Sequence, residues 1–461
     1  MMDDPARGLE PKREDRYALD PELAHEVWVA LEEARPADAR ARAETLHPAD
    51  IADLLEQFDE EHRRRLLEAF GADLPPEVLT ELGEGARDDV LRVIDPEVLA
   101  EAVKELETDD VVYLVEDLED EERRRVLEAL DPEDRFVVAQ SLNYPEHSAG
   151  RLMQREVVTA PPWWTVGQMI DHLRASRDLP DPFYDVVVVD PGMKPIGKIP
   201  LSRLLGARRP QSLEGVMDRD FRALRAEEPQ EDVAYAFNQY HLVSAPVVDA
   251  DGRLAGVITI DDAMAALQEE AEEDVRRLAG VGDEEIGDRV HRILRRRAPW
   301  LMVNLGTAVL ASVVIAQFED VLAQFVALAV LMPIVASMGG NAGTQTLTVA
   351  VRALATRDLT GTNAWRVVGR EAAVGLANGV LFALVIGGIG LAWYGDVTLG
   401  LVLGAAMVIN LLAAGLAGIL IPIGLERVGA DPALASGTFV TTVTDVVGFF
   451  AFLGLAAAVM L

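Results

Sequence analysis

The sequence predicts a multidomain chain: an all-α superhelical N-terminal domain, an α/β domain of two like halves, a charged connecting helix, and a five-helix transmembrane domain. Three observations carry that prediction. Residues 298–461 hold only 8 of the 77 acidic and 5 of the 42 basic residues, so nearly all of the net charge of −35 lies in residues 1–297. Five long apolar stretches follow the charged part. Two different internal repeats precede them.

Residues 1–20 open MMDDPARGLEPKRED, charged throughout and without an apolar core, which reads as a disordered tail and not as a signal peptide. Residues 21–150 read as short amphipathic helices. Within them LLEQFDEEHRRRLLEAF (54–70) returns as LVEDLEDEERRRVLEAL (114–130), nine of seventeen residues being identical. Helical repeats of this sort stack into a solenoid whose face meets a neighbour. The RRR runs at 63–65 and 123–125 follow acidic runs and read as solvated helix surface.

Residues 151–268 hold the second repeat. VVVD (187–190) and PIGKI (195–199) return as VVD (247–249) and LAGVI (254–258). Each copy reads as a strand, a turn, a second strand and a helix (202–206 or 261–268), preceded by a helix at 166–175 or 229–239. A charged helix then runs from 261 to 297, interrupted near Gly280-Val281-Gly282, and residues 269–297 connect to the apolar half. Asp262, Glu270, Glu273 and Asp274 lie along it. They form either an exposed face or a cation site: close like charges repel by about 1 kcal/mol per pair in water, and a divalent ion between them reverses that sign.

A spanning helix needs ~20 apolar residues to cross a ~30 Å hydrocarbon core. Residues 299–317, 322–351, 372–394, 397–421 and 433–461 qualify. Arg295, Arg296, Arg297, Arg352, Arg357, Arg366, Arg370 and Arg427 lie in the connections of one side. The opposite connections, at 318–320 and 394–396, carry no basic residue. The positive-inside rule therefore puts the N-terminal half in the cytoplasm and the C-terminus outside.

Polar residues inside these stretches point to chemistry. Asp445, in TFVTTVTDVVGFF, lies ~17 Å into the fifth stretch counted from Leu434. A carboxylate at that depth faces either an aqueous path or polar groups on neighbouring helices. Thr438, Thr441 and Thr442 precede it on about the same face. The second stretch contains PIVASMGGNAGTQ, where Pro333 and clustered glycines predict a kinked or broken helix. Gly340, Asn341 and Gln345 would then line a path or a packing seam. Asn304, Asn378 and Asn410 read as interhelical hydrogen bonds.

The donors are all oxygen. There is no cysteine, and none of the seven histidines lies beyond His291, which favours hard cations such as Mg²⁺ over Zn²⁺ or Cu²⁺. One acid per chain is little for a divalent ion, so a two-fold dimer bringing two Asp445 together is the economical assembly. Nucleic acid is not an expected partner of so acidic a chain. No P-loop, HExxH, GxSxG or Rossmann fingerprint speaks for an enzyme.

The two-copy α/β region resembles a tandem CBS pair, which implies a regulatory module for adenine nucleotides or ions. Residues 21–461 together resemble the MgtE family of Mg²⁺ channels, through YPEHSAGRLM before the pair, the acidic connecting helix, PIVASMGGNAGTQ, and DPALASGTFVTTVTD at the fifth stretch. The resemblance implies a homodimer in the inner membrane that imports Mg²⁺ and closes when internal Mg²⁺ is high. It assigns Asp445 as the pore acid, Thr441 as a carbonyl donor, and Asp431 as an acid near the ion path. It assigns Asp262, Glu270 and Asp274, and through weaker matches Glu231 and Asp110, to cytoplasmic Mg²⁺ sites that hold the connecting helix over the pore. ATP at the CBS pair is known in the family, with no residue here to assign to it. Ala265, His241, Tyr113 and Thr438 depart from the family pattern. A transporter of Co²⁺ or Mn²⁺ and a non-conducting membrane sensor are the alternative expectations.

Overall fold

Three short helices of the N-terminal part start at side-chain caps. Asp20, His47 and Asp59 each accept a backbone N–H from the first turn of the helix that follows, satisfying donors that a helix leaves unpaired. The helices are α1 (Pro21–Glu32), α2 (Pro36–Ala43), α3 (Pro48–Gln57), α4 (Glu60–Phe70), α5 (Val78–Glu81), α6 (Glu84–Val93), α7 (Pro96–Glu105), α8 (Thr108–Glu116), α9 (Asp120–Ala129) and α10 (Pro132–Ser141). One apolar core, from Leu19 to Val138, runs beneath them. The structure, a computed structural model, describes residues 19–461 except 95, 117, 119, 177, 178, 181, 282–289, 435 and 436. Of the expected tail at 1–20, residues 1–18 lie outside the described residues, and Asp20 caps α1. Of the expected interruption at 280–282, Gly282 lies outside them, and the helix Ile260–Ala279 ends before Gly280, whose φ is 68. Two units, Met1–Leu267 and Gln268–Leu461, make up the chain.

The arginine runs are not uniformly solvated. Arg63 reaches back to Leu55 O (2.9 Å) and Phe58 O (3.2 Å). Arg123 does the same to Val115 O (3.0 Å) and Leu118 O (3.0 Å). Arg135 repeats the bond pattern on Leu127 O (2.7 Å) and Leu130 O (3.0 Å). The first arginine of each run thus donates to carbonyls at the end of the preceding helix and in its turn. Its position at the inner edge explains why Arg63 is 12% exposed and Arg64 47%.

The α/β pair follows α11 (Ala149–Leu152). Its first copy comprises β1 (Thr159–Ala160), α12 (Val166–Ala175), β2 (Asp185–Val189), β3 (Pro195–Pro200) and α13 (Leu201–Gly206). After α14 (Leu213–Val216) the second copy comprises β4 (Leu224–Arg225), α15 (Gln230–Tyr240), β5 (Ser244–Val248), β6 (Leu254–Thr259) and α16 (Ile260–Ala279). The two sheets have the same order, β1-β2-β3 and β4-β5-β6, with the first pair parallel and the second antiparallel. Asp185 and Ser244 open equivalent strands and meet. Ser244 Oγ donates to Asp185 Oδ2 (2.6 Å), and Lys198 Nζ donates to the same oxygen (2.9 Å) and to Ser244 O (3.1 Å). The expected last helix, 261–268, continues to Ala279 as one element.

The second unit holds α17 (Val290–Ala316), α18 (Glu319–Gln324), α19 (Val326–Ala355), α20 (Ala364–Tyr394), α21 (Val397–Arg427) and α22 (Gly437–Met460). Five of these are long and apolar enough to cross a membrane. The stretch expected to begin at 322 is divided, because Phe325 adopts φ −125 and ψ 78 and ends α18 before α19 starts. Of the kinked or broken helix expected around Pro333, the broken alternative is not found. Proline removes one donor, and neighbouring helices sustain the chain through it. Buried residues recur along α21 from Leu399 to Ile423. It packs backbone to backbone on α20, where a Cβ at Gly379 would come within 2.9 Å of Val408 Cα.

Candidate cation sites

Asp445 is a half-buried residue of α22, eight residues past its start and so ~12 Å along the helix. Among the described residues no hydrogen-bond or ion partner reaches its carboxylate. One turn earlier, Thr441 lies against α19: a Cβ at Gly340 would sit 3.3 Å from Thr441 Cγ2. The acid is therefore one turn from the contact of α22 with the glycines that follow Pro333. The threonine hydroxyls bond within their own helix. Thr441 Oγ1 (3.1 Å) and Thr442 Oγ1 (2.6 Å) both donate to Thr438 O, and Thr444 Oγ1 donates to Thr441 O (2.9 Å). Hydroxyls in an apolar helix bond the preceding turn when nothing better is offered. Asn341 and Gln345 are exposed on the single chain, and Asn341 Nδ2 lies 3.5 Å from Ser337 Oγ.

Asp445 is not the only acid in an apolar helix. α20 begins earlier than the hydropathy suggests and includes Glu371, whose side chain is 13% exposed and paired with Arg370 (3.1 Å). Thr346 Oγ1 donates to its Oε2 at 3.4 Å.

In the first unit, Asp262 at the start of α16 and three acids at the start of α8 form one electrostatic group. Burial pushes Asp110 up to about 7, with the charge of Asp262 next in effect. Burial likewise raises Glu107 to about 7 against the hydrogen bond from Gln154 Nε2 (2.5 Å). Asp262 rises to about 6 through burial, opposed by Thr259, whose hydroxyl donates to its Oδ2 at 2.6 Å. Asp109, 8% exposed, is raised well above the carboxylate range by burial and by Asp262. Its Oδ1 is buried without a hydrogen-bond partner. Four oxygen-donor acids that repel one another, with one buried atom unpaired, fit a hard divalent cation. No three such side chains are already gathered at metal distance among the described residues.

The acids of α16 do not act as one row. Glu273, three turns past Asp262 or about 16 Å along the helix, belongs to the second unit and pairs with Arg277. Arg277 also pairs with Asp431, whose Oδ1 accepts the Ala433 N–H at 2.7 Å. Leu278 packs beside Leu347, Val351, Ala433 and Val440, so the end of α16 sits at the start of α22. Glu270 and Asp274 lie half-buried on the same segment, and Glu231 stands exposed on the first turn of α15.

Residues 46–147 match the family described as the MgtE intracellular N domain, residues 213–269 the CBS domain, and residues 332–455 the family described as MgtE, divalent cation transporter. Magnesium transporter MgtE of Enterococcus faecalis is 32% identical over 323 residues, covering 70% of this chain and 71% of that protein. The chain belongs to the MgtE family. Magnesium transporter MgtE of Thermus thermophilus is 34% identical over 68% of this chain and 70% of its own. A crystal structure of the cytosolic domain of the Mg²⁺ channel MgtE in complex with ATP is 30% identical, with a TM-score of 0.49 over 52% of this chain and 99% of that one.

Against the MgtE pattern, the structure gives the departing residues roles of their own. Tyr113 carries the Arg87 guanidinium 4.6 Å from its ring centre, and His241 ends α15 with φ 52. Ala265 is exposed. Sequence reasoning missed Glu107, Asp109 and Arg277. The acids of α8 stand in sequence as an ordinary acidic first turn, and only folding shows that they are buried. Arg277 lies 154 residues from Asp431.

Proposed function

We propose that this MgtE-family chain imports Mg²⁺ across the inner membrane as a homodimer, with the ion passing between two Asp445 carboxylates. The observation that carries this reading is a carboxylate inside an apolar helix with no protein partner among the described residues. Mg²⁺ loses its water reluctantly, so a pair of carboxylates acting through that water suits it better than a closed protein cage. The N-terminal domains lie in the cytoplasm and the C-terminus outside, following the arginines at 352, 357, 366 and 370. The test is Mg²⁺ uptake into proteoliposomes. Wild type is expected to conduct, and Asp445→Ala to insert normally and fall to background. Equal uptake by the variant would end the reading. Competition by Co²⁺ or Mn²⁺ in the same vesicles decides between Mg²⁺ and another divalent cargo.

Closure at high internal Mg²⁺ is the second half of the proposal. Cations bound by Asp110, Asp109, Glu107 and Asp262 relieve their mutual repulsion and favour the compact first unit. Glu270, Glu273 and Asp274 belong to the helix that covers the pore. The contact of Arg277 with Glu273 and Asp431 supports a covered state: a tethered guanidinium occupies the acid that would otherwise face an arriving ion.

A further inference from the structure

Asn410 lies in the middle of α21, fully buried. Its Nδ2 donates to Val335 O of α19 at 2.8 Å, in the turn that follows Pro333. Its Oδ1 has no hydrogen-bond partner. Two glycines from two other helices lie directly on this amide. A Cβ at Gly339 of α19 would fall 2.2 Å from Asn410 Nδ2, and one at Gly448 of α22 would fall 2.7 Å from the same atom. No side chain larger than hydrogen fits at either place without moving the amide.

Stability alone does not account for an asparagine here. An unpaired amide oxygen in a buried, membrane-spanning bundle is unfavourable, and leucine or methionine fills a similar volume without that cost. What the amide does is geometric. It hydrogen-bonds α19 on one side and seats α22 on the other, so it fixes how those two helices stand to each other. Gly448 is three residues after Asp445, and Gly339 precedes Gly340, which meets Thr441. The amide therefore meets α22 within one turn of the candidate ion site.

We infer that Asn410 is a positioning residue for ion selection: it sets the separation and rotation of α19 and α22, and with them the width of the passage at Asp445. The inference rests on the reading of Asp445 as the pore acid. A hydrated ion is chosen by how well the gap fits its water shell, so a displaced helix alters which ions pass before it alters whether the protein folds.

The experiment is uptake of Mg²⁺ and Ca²⁺, each alone and at equal concentration, by the full chain in proteoliposomes. Asn410→Leu is expected to change the Mg²⁺/Ca²⁺ uptake ratio by about tenfold at unchanged inserted protein. Asn410→Ser, which is smaller and cannot clash, is expected to shift it in the same sense and serves if the leucine variant fails to insert. Asn378→Leu, at an exposed asparagine of α20, is expected to keep the wild-type ratio. A ratio unchanged in the inserted Asn410 variants, or uptake of both ions reduced alike, would overturn the inference and leave Asn410 as packing. Wild-type vesicles that take up neither ion would instead overturn the reading of Asp445 as well.

Discussion

Arg277 and Asp431 can be separated by neutralising each in turn. Arg277 holds Asp431 and Glu273 together at the start of α22. Arg277→Gln is expected to raise Mg²⁺ uptake at millimolar Mg²⁺ by roughly tenfold, within the usual range of a coupling between sites. If Asp431 only anchors the arginine, Asp431→Asn gives the same leak; if it also meets the ion, uptake falls instead. An Arg277→Gln channel that closes like wild type would remove the guanidinium from the gate. Arg123 offers a second residue-scale test. Its guanidinium serves the carbonyls of Val115, Glu116 and Leu118, so Arg123→Ala is expected to destabilise the N-terminal domain by about 2 kcal/mol, read as a lower thermal midpoint. Tolerance of the change would return the run to plain surface. Hydropathy and charge runs give neither residue's role, because both act through partners brought in by the fold.

At the scale of elements, the meeting of α8 and the start of α16 predicts a pH dependence. Glu107, Asp110 and Asp262 titrate near 7, 7 and 6 when folded, against about 4 in an unfolded chain. The folded state therefore binds more protons between pH 4 and 7, so raising pH through that window weakens the fold, and the loss is complete above about 7. A cation that takes the place of those protons must release them. Calorimetry of the full chain in buffers of different ionisation heat is expected to show proton release on Mg²⁺ binding at pH 6.5 and little at pH 8.5. Apparent affinity is expected to be about tenfold weaker at pH 6 than at pH 8. Binding without any proton exchange at pH 6.5 would place the ion elsewhere. The two long strands of each copy, helix α12 and five apolar helices were legible because periodicity and repeat spacing express local physics, whereas the two-residue strands β1 and β4 are too short to show either. The division at Phe325, the unbroken α19 and the early start of α20 were not, because neighbouring helices decide them. The place of Asp445 within an apolar helix was legible, whereas the hydroxyls of Thr441, Thr442 and Thr444 had an outlet in their own helix that spacing does not reveal.

For the whole molecule, the proposed water path can be probed with thiol chemistry, since the chain has no cysteine of its own. Thr441→Cys and Asp445→Cys are expected to react with a charged, water-soluble methanethiosulfonate in the membrane-embedded full chain, and high Mg²⁺ is expected to slow the reaction. Cysteine placed at Phe382, in the middle of α20, should remain unmodified. Equal reactivity at all three positions, or none at 441 and 445, would leave no case for a wet passage beside α22.

The bond network at Asp185, Lys198 and Ser244 carries a further consequence. The Asp185 carboxylate is 7% exposed and draws one donor from each half of the duplicated domain. Shortening the chain to a single copy would take away one of the two donors to that carboxylate. The duplicated halves should therefore lose amide protection together in hydrogen–deuterium exchange, and grafting either half alone onto another channel should yield an insoluble fragment.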